Sequence, residues 1–209
     1  MATNIIVAGV GGQGSILASH IIAEAAIRTG VRRQQPVRVR VGETFGAAMR
    51  GGAVASHVRI GPDVYGPLVA EDEADLIIAM EPLEGLRLGA RYLSPRGIAV
   101  LNERPLPPTD VKIGACRYPS TAEIGEALRG LGEAVYFLPG EELALRAGHV
   151  RTLSVVMIGA AFGTGRLPIS QEDLEDTIRA RVPPKTVEVN LRAFRLGMEA
   201  MASRLERAW

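Results

Sequence analysis

The segment NIIVAGVGGQGSILAS, residues 4–19, carries the strongest structural signal in the chain. Its first half is an apolar run typical of a buried strand, and the Ala-rich stretch 16–27 predicts a helix. The glycines between them follow the G-x-G-x-x-G spacing, at Gly9, Gly11 and Gly14. A strand, a glycine turn and a helix bring backbone N–H groups to a helix N-terminus, where an anion is favoured. The segment therefore predicts either an anion-binding turn or a turn that serves close packing alone.

The composition is typical of a globular protein. Of 209 residues, 47% are hydrophobic and 22% are charged, and this length predicts one domain over residues 1–209. The formal net charge is +1 and the arginines are scattered, which disfavours nucleic acid as a partner. No apolar run approaches the length of a membrane span and no leader pattern precedes the first strand, so we expect a cytoplasmic protein with no membrane partner.

Cysteine and histidine are too sparse for a self-contained metal centre. Cys116 is the only cysteine, which excludes an iron–sulfur cluster held by this chain alone, because a cluster normally needs about four thiolates. We expect Cys116 to be a buried small hydrophobe. The three histidines are far apart, and strand alternation places His57 with Arg59 on a polar face. We predict no catalytic residue and no metal site in this chain.

Hydrophobic runs predict a sheet of about five to seven strands, mostly parallel. Strands are expected at 37–41, 52–60, 64–68, 74–80, 97–102, 111–118 and 135–139. The turn GPD joins the second and third of these in an antiparallel hairpin. Helices are expected at 81–93, 120–132, 151–165, 169–182 and 185–209, and from Glu141 onward the pattern is helical only. The predicted class is α/β, a three-layer α/β/α sandwich with a mixed, mostly parallel sheet and a helical C-terminal portion.

A dinucleotide-binding enzyme is the first hypothesis that the glycine turn suggests. Such a fold places an acidic residue at the end of the second strand, about 20 residues beyond the glycines, to hold the ribose hydroxyls. The first acidic residue after the predicted second strand is Glu43, which lies later and beyond another glycine. A stand-alone Rossmann-like dinucleotide-binding or regulatory module is therefore the alternative to the interpretation given below.

The loop before the third predicted strand carries a second candidate site. Arg50 precedes Gly51 and Gly52, so its guanidinium lies beside backbone that other groups can approach closely. This arrangement suits bidentate binding of a phosphate or a carboxylate. A surface arginine at the start of a strand is the alternative that the spacing leaves open.

Several motifs, in this order, resemble one protein family. GVGGQG, MRGGAVASHVRIG, EADLIIAMEPLEGLR, GIAVLN and VVMIGAAFGTGRLPIS are similar to the gamma-type subunit or domain of 2-oxoacid:ferredoxin oxidoreductases. Within that family, the likeness is greatest to the small (beta) subunit of indolepyruvate ferredoxin oxidoreductase. The resemblance covers nearly the whole chain.

The resemblance implies a subunit without a resident cofactor in a heteromeric enzyme, inactive alone. That enzyme decarboxylates a 2-oxoacid such as indolepyruvate or another arylpyruvate, uses coenzyme A as co-substrate and passes electrons to ferredoxin. Thiamine diphosphate, Mg²⁺ and 4Fe–4S clusters are then expected on the larger (alpha) subunit. An obligate partner of this kind also predicts an exposed apolar patch on this chain.

The resemblance also implies which residues bind coenzyme A or substrate. They are the two glycine turns and the acidic residue between them: Gly9, Gly11, Gly12, Gln13, Gly14, Glu43, Arg50, Gly51 and Gly52. Two positions depart from the family pattern, because Ser154 stands where an Asn is common and Phe45 where a His is frequent. Packing of helix on sheet or on the partner is the competing role for the first turn.

Overall fold

The computed structural model describes residues 2–45 and 51–206. Within them, six strands form one mixed sheet with the order β2-β3-β1-β4-β5-β6. The strands are β1 (Thr3–Val10), β2 (Arg38–Phe45), β3 (Ala53–Gly61), β4 (Ala74–Ala79), β5 (Leu93–Asn102) and β6 (Ala134–Leu138). The predicted strand count and mixed character are confirmed.

The directions of the strands bring several chain ends to one edge of the sheet. β1, β4, β5 and β6 pair in parallel, so their carboxyl ends lie together. β3 is antiparallel to β1 and starts opposite its end, with Ala53 beside Val10. β2 is antiparallel to β3 and ends at the same edge, with Phe45 paired to Val54. This edge therefore collects the glycine turn, Gly51 and Gly52, and the end of β2.

Eight helices surround the sheet in the described residues. They are α1 (Ser15–Arg32), α2 (Pro82–Tyr92), α3 (Thr109–Lys112), α4 (Thr121–Arg129), α5 (Gly140–Ala147), α6 (Leu153–Gly163), α7 (Gln171–Arg181) and α8 (Val187–Glu206), with short 3₁₀ turns at Val150–Thr152 and Pro184–Thr186. Local signals explain where several begin. Ser120 and Glu123 form a capping box at α4, and Ser170 caps α7, each satisfying N–H groups that the first turn leaves free.

The helices divide into two layers, each with its own core. Ile22 of α1, Val156 of α6 and Phe194 of α8 are buried together against one face of the sheet. Ile124 and Leu128 of α4 are buried against the other face, where α2 also packs. This is the predicted three-layer sandwich, with the helical C-terminal portion on the face that α1 covers.

The helix α6, buried from Leu153 to Ala161, crosses α8 at van der Waals distance of their backbones. A Cβ placed on Gly159 would lie 2.0 Å from the carbonyl oxygen of Phe194, and one on Gly197 would lie 2.0 Å from the carbonyl oxygen of Val156. Neither position has room for a side chain, because real non-bonded contacts lie near 3.5 Å. The reciprocal glycines explain why this pair of helices packs so closely.

Two predicted strands are wrong. Residues 64–68 form a loop, and β3 pairs instead with β1 and β2. Arg59 of β3 donates to the carbonyl oxygens of Gly66 and Leu68, at 3.3 and 3.4 Å, which pins this loop across the strand. The segment 111–118 contains the end of α3 followed by turns, with Gly114 at φ +77°, a conformation that no regular strand contains.

Two burial predictions are also wrong. Cys116 is exposed, because the turn that replaces the predicted strand lies on the surface. His57 is only 1% exposed: it accepts a hydrogen bond at Nδ1 from the backbone N–H of Val69, at 3.2 Å, and meets the ring of Tyr92 edge to face. The loop that follows β3 covers this side of the sheet. Burial, reinforced by the charge of Arg91, lowers the pKa of His57.

None of the helices in the described part of the chain has both the length and the apolar character that a bilayer crossing requires.

Candidate functional site

The glycine turn connects β1 to α1 and leaves its backbone open. The N–H of Gln13 donates to the carbonyl oxygen of Val10 at 3.0 Å, which closes the turn. Gly14 is the N-cap residue of α1 with φ +84°, and no side chain among the described residues caps this helix end. The first N–H groups of a helix have no partner within the helix. The N-terminus of α1 therefore keeps free N–H donors and the positive end of the helix dipole, which together favour an anion.

The side chain of Gln13 holds the turn to the neighbouring strand. Its Oε1 accepts from the N–H of Val10 at 2.8 Å, and its Nε2 donates to the carbonyl oxygen of Met80 at 3.3 Å. The same carbonyl accepts from Nδ2 of Asn102 at 3.0 Å, and Oδ1 of Asn102 accepts from the N–H of Gly140 at 3.1 Å. One buried network therefore fixes the ends of β1, β4 and β5 and the start of α5.

The structure brings the two predicted glycine motifs together. The N–H of Gly11 donates to the carbonyl oxygen of Gly52 at 2.9 Å, and the N–H of Gly51 donates to that of Gly11 at 3.4 Å. Gly51 and Gly12 both have positive φ, +73° and +109°, with open space around them. Arg50 lies outside the described residues. The contact places Gly51 and Gly52, which follow Arg50 in sequence, directly beside the first turn.

Close packing accounts for two other glycines of the first turn. A Cβ on Gly9 would lie 3.2 Å from Cβ of Met80. One on Gly14 would lie 2.8 Å from Oγ of Ser154, a buried residue of α6. Gly9 and Gly14 therefore serve close packing, whereas Gly12 is exposed and has no neighbouring atom within 4 Å of the place that a Cβ would take. Ser154 is the residue that fills the space behind Gly14.

Glu43 lies on β2 and contacts a residue that the sequence did not single out as a ligand. Its Oε1 is 3.2 Å from Nε2 of His20 on α1, and both side chains are partly exposed. In a dinucleotide-binding fold the acidic residue belongs to the strand next to the glycine strand. Here the antiparallel β3 lies between β2 and β1. This strand order disfavours the dinucleotide-binding alternative.

A buried carboxylate marks the end of β4 at the same edge. Glu81, 1% exposed, accepts hydrogen bonds from the N–H groups of Glu84 and Leu106, at 2.9 and 3.1 Å, and from the hydroxyl of Tyr118. Burial and the bond to Glu81 raise the pKa of Tyr118, so its hydroxyl stays a donor. Burial also raises the pKa of Glu84, which the charge of Arg87 partly offsets. These contacts fasten the loop after β5 to the start of α2.

Sequence reasoning missed Asn102, Glu81 and Tyr118 as parts of this edge. A polar residue at the end of an apolar run, as in GIAVLN, and an acidic residue just before Pro82 were the available signals. Tyr118 left no signal, because its partner is distant in sequence. Across the described residues, no group of three or more His, Cys, Asp or Glu side chains is arranged to hold a metal ion.

Comparison with known proteins gives the family. The family model described as pyruvate ferredoxin/flavodoxin oxidoreductase matches residues 4–200. The indolepyruvate oxidoreductase subunit IorB of Thermococcus kodakarensis is 42% identical over 198 residues, which are 94% of this chain and 95% of the relative. That of Pyrococcus horikoshii is also 42% identical, with the same coverage. These relatives are named as subunits, so each works within a multi-subunit oxidoreductase.

A solved structure supports the fold. The gamma subunit of a keto/oxoacid ferredoxin oxidoreductase from Geobacter sulfurreducens superposes with a TM-score of 0.68 at 23% identity, covering 96% of this chain and 99% of that one. With the glycine turn, the mixed sheet and a family match over almost the full length, the chain belongs to the pyruvate ferredoxin/flavodoxin oxidoreductase family.

Proposed function

We propose that this chain is the small subunit of a heteromeric 2-oxoacid:ferredoxin oxidoreductase that acts on indolepyruvate or another arylpyruvate. The observation that carries the proposal is the 42% identity to indolepyruvate oxidoreductase subunits over more than nine-tenths of both chains. The overall reaction converts a 2-oxoacid anion, coenzyme A and two oxidised ferredoxins into acyl-CoA, CO₂, two reduced ferredoxins and one proton.

The cofactors are proposed to lie on the larger, alpha subunit. A single exposed cysteine supports this division, because one thiolate cannot hold a 4Fe–4S cluster. Thiamine diphosphate with its Mg²⁺ supplies the chemistry of decarboxylation when bound there, and ferredoxin receives electrons through the complex. On this proposal the small subunit contributes binding surface and excludes water, and it is inactive alone.

The small subunit is proposed to bind the anionic part of coenzyme A or the 2-oxoacid carboxylate at the glycine edge. The exposed backbone of Gly12, the uncapped start of α1 and the adjacent Gly51–Gly52 turn support this role. Arg50, which precedes that turn in sequence, would supply the balancing positive charge. Glu43 would hold the end of β2 through His20, while Gly9, Gln13 and Gly14 fix the shape of the turn.

We further propose that residues 1–209 act as one domain, since all the described strands belong to one sheet. The complex is proposed to work in the cytoplasm, where the exposed thiol of Cys116 stays reduced.

Co-expression with the large subunit tests the proposed function. Reduction of ferredoxin that depends on indolepyruvate and coenzyme A should require both chains and be absent from either alone. Purification of the native complex provides the second measurement. A companion that lacks both a thiamine diphosphate site and cluster cysteines, or oxoacid turnover by the small subunit alone, would refute the proposal. Tight binding of NAD(H) by the isolated chain would favour the dinucleotide-binding alternative instead.

A further inference from the structure

A cleft of about 400 Å³ opens beside the glycine turn, where four segments of the chain meet. Leu17 of α1, Val182 after α7 and Val189 of α8 give it apolar walls. Arg151 and Thr152, in the 3₁₀ turn between α5 and α6, also line it, together with polar groups that include His149 and Asn190. We refer to it as the α1–α8 cleft.

Exposed apolar side chains continue from this cleft to the glycine turn. Ile16 and Leu17, in the first turn of α1, are 39% and 36% exposed, and Val150 is 41% exposed. Ile16 follows Gly14 by two residues, so the apolar surface begins where the candidate site ends. Single exposed apolar residues are ordinary, but a contiguous set beside a cleft marks an interaction surface.

Three cations lie in or next to the cleft: Arg151 lines it, Lys185 stands in sequence between the lining residues Pro183 and Thr186, and Arg146 precedes the lining residue Gly148 by two positions. Arg146, Arg151 and Lys185 are exposed, and none of them forms an ion pair with another residue in the described ranges. Arg192, also nearby, donates from Nε to the carbonyl oxygen of Ala147 at 2.6 Å, which stabilises the end of α5. An apolar groove with unpaired cations around it is complementary to a segment that carries apolar and acidic side chains.

We propose that the α1–α8 cleft is the docking surface for the larger subunit, and that it receives an acidic segment whose apolar side chain enters the cleft. This inference rests on the proposed function. A second copy of this chain is a poor occupant, because a two-fold contact would place the same cations opposite one another. Docking here would also bring the larger subunit, with its cofactors, against the glycine edge.

Charge and polarity changes at the cleft test the proposal in the reconstituted complex. Leu17→Asp and Arg151→Glu should each weaken association with the large subunit by about tenfold or more, measured as Kd by titration. Val31→Asp and Arg33→Glu are the matched controls, since Val31 lies at the far end of the same helix and is 73% exposed, and Arg33 directly follows that helix. The controls should stay within about twofold of the wild type.

Ionic strength gives an independent measurement. Wild-type association should weaken as salt rises, and Arg151→Glu should flatten that dependence. If Leu17→Asp lowers the thermal midpoint of the small subunit, Val150→Asp replaces it. Unchanged Kd for the cleft variants, or weakening by the control variants alone, would overturn the docking surface. A higher KM for coenzyme A with unchanged Kd would also overturn it, because the cleft would then hold a small anionic ligand. Failure of the wild-type chains to associate would instead refute the proposed function.

Discussion

Replacing Asn102 by alanine should destabilise the protein by breaking the link between β4 and α5. The Asn102 side chain is fully buried. It donates to the carbonyl oxygen of Met80 and accepts from the N–H of Gly140, at 3.0 and 3.1 Å. After the substitution, Met80 keeps the weaker bond from Gln13, at 3.3 Å, whereas the N–H of Gly140 loses its partner.

The size of the effect follows from these contacts. Each hydrogen bond contributes about 1 kcal/mol net, and an unpaired buried N–H costs about 1–3 kcal/mol. The free energy of unfolding should therefore fall by about 2–4 kcal/mol. Asn190→Ala is the matched control: Asn190 is also buried, but its Nδ2 bond goes to the carbonyl oxygen of Thr186 in the preceding turn, and its loss should cost about 1 kcal/mol.

Urea unfolding followed by circular dichroism measures both variants, provided that the m value stays unchanged. Hydrogen exchange at the amide of Gly140 should accelerate in Asn102→Ala and not in Asn190→Ala. A loss below about 1 kcal/mol with wild-type exchange at Gly140 would show that the network does not hold the strand ends together.

Three further substitutions test the packing, the buried histidine and the candidate site. Gly159→Ala should lower the free energy of unfolding by about 3 kcal/mol, because the added methyl group forces α6 and α8 apart. The control Gly66→Ala, at a glycine with open space around it, should change the free energy of unfolding by less than about 0.5 kcal/mol. Burial lowers the pKa of His57 in the folded state, so below about pH 6.5 the unfolded chain binds a proton at this residue more readily than the folded chain. The free energy of unfolding should therefore fall as the pH drops below about 6.5. When unfolding is measured at pH 5 and pH 7, His57→Asn should reduce this loss, and the control His149→Asn, at an exposed position, should not. In the reconstituted complex, Arg50→Ala should raise KM for coenzyme A or the 2-oxoacid about tenfold, and unchanged values for both would show that Arg50 is structural.

Patterns that act over a few residues predicted most elements of the fold. The apolar runs of β1, β4 and β5 are long enough to identify strands covered on both faces. The helices predicted at 120–132 and 169–182 start within one residue of the observed caps Ser120 and Ser170, because a cap depends on residues within one turn. The presence of a buried strand and the position of a helix cap depend on neighbouring residues, so the amino-acid sequence is sufficient to find them.

The wrong predictions concern segments whose burial depends on distant residues. The stretch 64–68 was expected to pair with β3 across the GPD turn, but β3 pairs with β1 and β2, both earlier in the chain. For the same reason, His57, expected on a polar face, is buried, and Cys116, expected to be buried, is exposed. One is covered by the loop that ends at Val69, and the other lies in a surface turn.

The candidate site divides in the same way. Its glycines follow from spacing alone, because positive φ and close approach need glycine wherever they occur. The contact of Gly11 with Gly52 exists only after β3 has paired with β1, and the bond from Gln13 to Met80 only after β4 has paired with β1. Local residue patterns thus determine where the backbone forms glycine turns, and long-range strand pairing determines that two such turns share one edge of the sheet.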